Sequence, residues 1–186
     1  MAMSEPNYGT DVIGMETTAE LNSDGKWVIN GNKMWITNGS IDDDRTPADV
    51  VWVYARTGID ERGRPQISTF IIENGTPGYT VGQKIYDKTG MRASNTAELV
   101  FADCTVGSES LVGEPGSSIH HMMKNLEIER LTLAAMSLGI ARRSLDIMNR
   151  YASERVAFGA ERCGRCPTSG HCLLSRKWRT SSASIG

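Results

Sequence analysis

The chain has 186 residues, with 20 Lys and Arg against 22 Asp and Glu, so it is long enough for one large or two small cores and carries no field that would draw in a polyanion such as nucleic acid. No stretch approaches the roughly 18 consecutive apolar residues of a spanning helix. The opening residues Met1 to Pro6 lack the basic and apolar regions of a secretory signal.

From Met15 to about Val106, short β-branched and aromatic runs alternate with turn dipeptides, which is the pattern of strands. The runs are Thr17 to Leu21, Trp27 to Ile29, Lys33 to Thr37, Val50 to Ala55, Thr69 to Glu73 and Ala97 to Phe101. Asp24-Gly25 and Asn30-Gly31 favour the positive-φ turns that close hairpins, and Asn74 to Gly78 reads as a further turn. The expectation is an antiparallel barrel or sandwich over residues 1–115. Near Gly116-Ser117-Ser118 the period changes from two to about 3.6, with serine offered as an N-cap. Met123, Leu126, Leu133, Met136 and Ile140 then recur at helical spacing, continued by Ile147 and Tyr151. The fold class is α+β: a β-domain, then the start of a helical domain over residues 116–160. So long an amphipathic helix needs another helix to cover it, and none is visible downstream.

Residues 161–186 form a Cys/Arg/Ser-rich tail with little apolar periodicity, expected to be disordered because it cannot bury enough surface to offset its chain entropy. Three of the four cysteines, Cys163, Cys166 and Cys172, crowd there, with Cys104 alone in the body. That is not a disulfide framework. Cys163, Cys166, His171 and Cys172 have the donor types of a zinc site, but such sites usually draw their ligands from two structured arms, and no metal site is assigned.

Two segments carry candidate chemistry. Ala2 to Asp11 combines hydroxyl side chains with a glycine that lets backbone N–H groups approach a ligand, a nest for phosphate or flavin oxygens, though as residues alone it reads first as an Asp/Gly/Pro turn. Trp35-Ile36-Thr37-Asn38-Gly39 sets an aromatic beside a hydroxyl at a strand end, which a half-buried hairpin tryptophan would also explain.

Taken in order, five segments resemble the acyl-CoA dehydrogenase family. They are Ala2 to Asp11, Gly31 to Gly39, Thr89-Gly90-Met91-Arg92-Ala93-Ser94-Asn95-Thr96 with the following Glu98 to Phe101, Glu129-Arg130-Leu131, and Tyr151 to Gly159. The resemblance covers Ala2 to about Ala160. It implies FAD as cofactor, an acyl-CoA substrate oxidised to its 2,3-enoyl product, electron-transfer flavoprotein as electron acceptor, and a dimer or tetramer with shared flavin sites. The implied compartment is the mitochondrial matrix in a eukaryote and the cytoplasm in a bacterium.

The resemblance also implies roles for particular residues. Met3, Ser4, Ile36 and Thr37 would border the isoalloxazine, with Trp35 packed on the ring. Gly9 and Thr10 would lie where flavin phosphate and acyl chain converge. Arg155 would reach the FAD pyrophosphate of a neighbouring subunit; as residues alone it also reads as a solvated helix-end arginine. Glu129 falls between Leu126 and Leu133 on the apolar stripe, where desolvation would make a carboxylate a better base; with Glu127 and Arg130 paired at its side, it also fits an exposed face. The Glu129-Arg130-Leu131 segment resembles the one that carries the base in isovaleryl-type members, and Arg130 and Glu127 would then assist in holding the substrate. Two departures stand out. The helical domain that precedes the first signature in the family is absent, and after Ala160 the sequence leaves the family pattern. The expectation is a fragment, inactive as it stands, with a catalytically silent flavin-binding or interaction protein as the alternative.

Overall fold

The computed structural model describes residues 1–42, 45–157 and 160–161. Two compact units divide at Leu126 and Glu127. The first is a seven-stranded sheet of β1 (Thr18–Leu21), β2 (Trp27–Thr37), β3 (Val50–Ile59), β4 (Pro65–Glu73), β5 (Tyr79–Lys84), β6 (Thr96–Val106) and β7 (Leu111–Val112), in the order β5-β6-β2-β1-β3-β4-β7. All neighbours run antiparallel except β1 and β3, which meet in parallel at Thr18 and Arg56. The α+β class is as expected, whereas the barrel or sandwich is instead one open, mixed sheet. Its physical origin is β1, four residues long and inserted between β2 and β3, so that the chain does not proceed as a simple meander.

The sheet curls enough to share one core between its wings. Trp27 of β2 meets Phe70 of β4 edge-on at 5.5 Å, Tyr79 of β5 stacks on Phe101 of β6 at 5.2 Å, and all four belong to one buried cluster with Ile29, Val53, Ile72 and Leu99. A second cluster joins Met3, Val12, Met15, Tyr54, Ile67 and Met122, tying the opening segment to β3, β4 and the first turns of α1 (Ser118–Glu154). Polar links fix that junction too: the Thr69 hydroxyl donates to Ser118 Oγ at 2.7 Å, and Gly116 N–H to Ser68 Oγ at 2.8 Å. Ser117 turns its hydroxyl back to the Glu114 carbonyl at 2.6 Å.

Asn30-Gly31 is not a turn. It lies inside β2, at a register shift between Ile29 and Gly31. A Cβ at Gly31 (φ +145°) would come within 2.5 Å of Thr17 Oγ1, so the glycine serves close packing at a bulge and not a hairpin. Asp24-Gly25 does turn, with Gly25 at φ 74° and Asn22 Oδ1 accepting from the Asp24 and Lys26 amides.

In the second unit α1 continues from Glu127 to Glu154 as predicted, followed by a two-residue ladder of β8 (Val156–Ala157) and β9 (Ala160–Glu161). Cys163, Cys166, His171 and Cys172, weighed and set aside as zinc donors, fall outside the described residues, and so does the tail after Glu161, expected to be disordered. Among the described residues no helix is long and apolar enough to cross a membrane.

Candidate functional site

Because β1 is short, β2 and β3 part company beyond it, and the opening segment fills the gap. Ala2 N–H donates to the Trp52 carbonyl at 2.6 Å and Ala2 O accepts from Tyr54 N–H at 3.1 Å, a parallel bridge to β3. Two residues on, Ser4 O accepts from Met34 N–H of β2 at 2.9 Å. Six further residues lead to a single helical turn, Val12–Gly14, capped by Asp11, with Gly9 and Thr10 exposed on the way. A Cβ at Gly9 would meet nothing within 4 Å, so the chain's own packing does not demand glycine there.

Beneath this segment lies a buried ion pair. Lys33, fully buried, places Nζ 2.9 Å from Glu5 Oε1, 3.3 Å from the Met3 carbonyl and 3.7 Å from Met15 Sδ. The Glu5 carboxylate accepts from the amides of Glu16 at 2.6 Å and Thr17 at 3.0 Å. Burial by itself raises the Glu5 carboxyl, but the Lys33 ammonium and these hydrogen bonds outweigh it and hold the group below the ordinary carboxylate range. Burial draws the Lys33 ammonium down, partly offset by Glu5.

Directly after Lys33 the β2–β6 register shifts again, between Lys33 and Ile36. Within the bulge Trp35 has φ 60°, a left-handed conformation rare for a bulky side chain and costing about 1–3 kcal/mol. The residue is 53% exposed. Ile36, by contrast, sends its side chain into the core, so only its backbone is available to a ligand. Thr37 is exposed, and its hydroxyl and that of Ser4 make no hydrogen bond among the described residues. Past Thr37, Asn38 N–H donates to the Asn95 carbonyl at 3.0 Å, bringing in the loop before β6. Lys88 stitches that loop together, donating to the Ser94 carbonyl and, at 2.8 Å, to Thr96 Oγ1. One end of the sheet thus gathers Ser4, Trp35, Thr37 and the Thr89 to Thr96 segment.

A planar heteroaromatic needs an apolar face with hydroxyl or amide donors at its edge. Exposed Trp35 flanked by free hydroxyls meets that need, so the residues present fit a flavin ring. Met3 is buried under the segment and contributes its carbonyl to Lys33. Cys104 lies in the core, where burial pushes its thiol up to about 11.

In the helical unit Glu127, Glu129 and Arg130 are exposed, and no ion pair joins Glu127 to Arg130 among the described residues. Glu129 keeps its place on the stripe, but Leu133 is 55% and Met136 42% exposed, so the described residues do not supply the apolar surroundings expected of it. Arg155 donates to the Tyr151 hydroxyl at 3.0 Å and lies over its ring. The sequence reading missed Lys33, Glu5 and Asn95. Lys33 had a signal: it continues the inward alternation of Trp27, Ile29 and Gly31, and a lysine at an inward position requires an acid nearby.

The family model of the acyl-CoA dehydrogenase middle domain matches residues 1–104, and that of the C-terminal domain residues 118–172. Mitochondrial isovaleryl-CoA dehydrogenase of Oryza sativa subsp. japonica is 47% identical over 159 residues, 86% of this chain and 37% of that protein. The structure of butyryl-CoA dehydrogenase from Megasphaera elsdenii superposes with a TM-score of 0.81 at 38% identity, covering 98% of this chain and 45% of that one. Acyl-CoA dehydrogenase from Bacillus anthracis, solved in complex with FAD, gives 0.75 at 35% identity over 86% of this chain and 26% of its own. The chain therefore spans less than half the length of each of these relatives.

Proposed function

The chain belongs to the acyl-CoA dehydrogenase family, and from that premise we propose that it forms the flavin-facing β-domain and the base-bearing helix of an isovaleryl-type enzyme. The observation that carries the reading is the bulge at Trp35. A strand that spends strain to turn an indole outward beside the Ser4 and Thr37 hydroxyls is built to receive a flat ring. FAD, when bound, supplies the acceptor for the hydride that leaves the β-carbon of the acyl thioester. The chain's own part is to seat the ring on Trp35, to offer the Ser4 and Thr37 hydroxyls to its polar edge, and to take the α-proton on the Glu129 carboxylate.

Gly9 and Thr10 fit the entry of phosphate and acyl chain, because open space at Gly9 leaves ligand approach as the reason for glycine. Glu127, two residues before Glu129, and Arg130, the residue after it, would hold the substrate, and Arg155 would meet the pyrophosphate of a neighbouring subunit. A homo-oligomer, electron-transfer flavoprotein as acceptor, and a matrix location in a eukaryote or a cytoplasmic one in a bacterium complete the proposal. Full turnover belongs to the complete architecture, so the chain alone is proposed to be inactive and to hold FAD weakly.

The test uses a chimaera in which residues 1–157 replace the aligned segment of the rice enzyme. Trp35→Ala and Thr37→Val should each weaken FAD about tenfold or more by equilibrium dialysis while leaving the melting temperature of the 186-residue chain near its parent value. Undiminished FAD affinity in both variants would remove the bulge from the flavin site.

A further inference from the structure

The Lys33–Glu5 pair does more than fill the interior, and its place suggests what. Replacing a buried ion pair with apolar side chains of similar volume is often neutral or stabilising, so stability alone does not account for a lysine at 0% and a glutamate at 3% exposure. What the pair does hold is geometry. Three separate stretches of backbone converge on it: Met3 through its carbonyl, Glu16 and Thr17 through their amides, and β2 through Lys33 itself. Two of the three adjoin the candidate flavin face. Ser4 follows Met3 and is bonded to Met34, and Trp35 lies two residues beyond Lys33. Apolar contacts would allow the opening segment to slide along β2, whereas directional charged hydrogen bonds fix its register.

Resting on the flavin reading above, we infer that Lys33 and Glu5 are positioning residues that lock the opening segment onto the β2 bulge, setting Ser4 and Trp35 at the relative spacing the flavin ring requires. Neither touches the ring. On one side of the bulge Lys33 anchors the strand in the polar interior, on the other Ile36 anchors it in the core, and the strained Trp35 is held between them. The Met34 amide, at the bulge, is satisfied by Ser4 O; if the opening segment shifts, that amide loses its acceptor.

The experiment compares Glu5→Gln/Lys33→Met, which removes both charges together, with Ile29→Val, a core change on the same strand. In the 186-residue chain, amide hydrogen exchange at Glu16, Thr17 and Met34 should speed up about tenfold or more in the double variant and stay at parent rates in Ile29→Val. In the rice chimaera the FAD Kd should rise about tenfold in the double variant only, with the flavin absorption bands of the residual complex shifted. A role confined to stability would lower the melting temperature and speed exchange across the core strands alike, with no excess at these three amides and no shift of the bands. Exchange and Kd both within about twofold of the parent would overturn the inference. If the double variant does not fold, Glu5→Asp decides on the same two readouts, since it keeps the charge but draws the carboxylate back by one methylene. Should the parent chimaera take up no FAD, the flavin reading fails, while amide exchange still settles whether the pair positions the segment.

Discussion

The sheet of the first unit and the helix of the second use apolar residues in opposite ways. In the sheet Ile29, Val53, Phe70, Ile72 and Leu99 are all at 0% exposure, and even the lysine inside is paired. In the helix Leu131 is 74%, Ile140 61% and Tyr151 58% exposed. Apolar residues at helical spacing over so many turns are not the composition of a solvated helix, and uncovered apolar surface of this kind calls for further protein to pack on it. The contrast separates two kinds of information. The sheet buries its apolar residues within its own fold, whereas the helix leaves its apolar stripe uncovered among the described residues, and the chain covers 37% of the rice enzyme's length.

The sharpest way to break the comparison is at the buried pair. Lys33→Met alone leaves Glu5 buried and uncompensated, and should cost the sheet about 3–5 kcal/mol in urea unfolding; a loss near zero would mean that the carboxylate escapes to water and that the unit is less closed than described. Phe70→Ala should cost a similar amount, about 3–5 kcal/mol by the same measurement, because it opens a cavity beneath Trp27.

Acid should act on the same pair. The folded Glu5 carboxyl lies below its ordinary 4.5, so the unfolded chain binds its proton more tightly. The resulting stability is complete above that value and is lost as the pH falls through the folded one. Melting temperature followed downward from pH 6 should therefore drop below about pH 4.5, and the drop should shrink in Glu5→Gln/Lys33→Met. The smallest effect belongs to the helix: Leu133→Ala in the chain alone should change stability by no more than about 0.5 kcal/mol, as for a surface site. In the chimaera the same substitution should cost about 2–5 kcal/mol if the stripe is covered there. Equal small effects in both settings would erase the distinction between the two regions.

Much of this was legible in the sequence, and the failures have physical causes. Val50 to Ala55, Thr69 to Glu73 and the long helix announced themselves by period, and each appears, with longer strands than the runs suggested. Asn30-Gly31 misled because a turn dipeptide is a local signal, whereas the reason for Gly31 is the tertiary approach of Thr17. β5 was missed because Tyr79–Lys84 is mostly polar and contains Gly82, which weakens the alternation. At the site Trp35 and Thr37 were visible as types, but their exposure depends on a bulge that no spacing rule contains. Ile36 was placed with them although its side chain belongs to the core. Glu5 was read as part of a turn, and only the fold brings it to Lys33, 28 residues away.

The most direct test concerns Glu129, the proposed base, which lies on a helix whose apolar stripe is uncovered among the described residues. In the rice chimaera loaded with FAD, stopped-flow absorbance after mixing with isovaleryl-CoA follows substrate-dependent bleaching of the flavin band. Glu129→Gln should retain flavin content and melting temperature and slow bleaching by about 10²–10⁴-fold, the loss expected for a general base. Bleaching at the parental rate in that variant would contradict the assignment of the base and, with it, the isovaleryl-type reading of the helix.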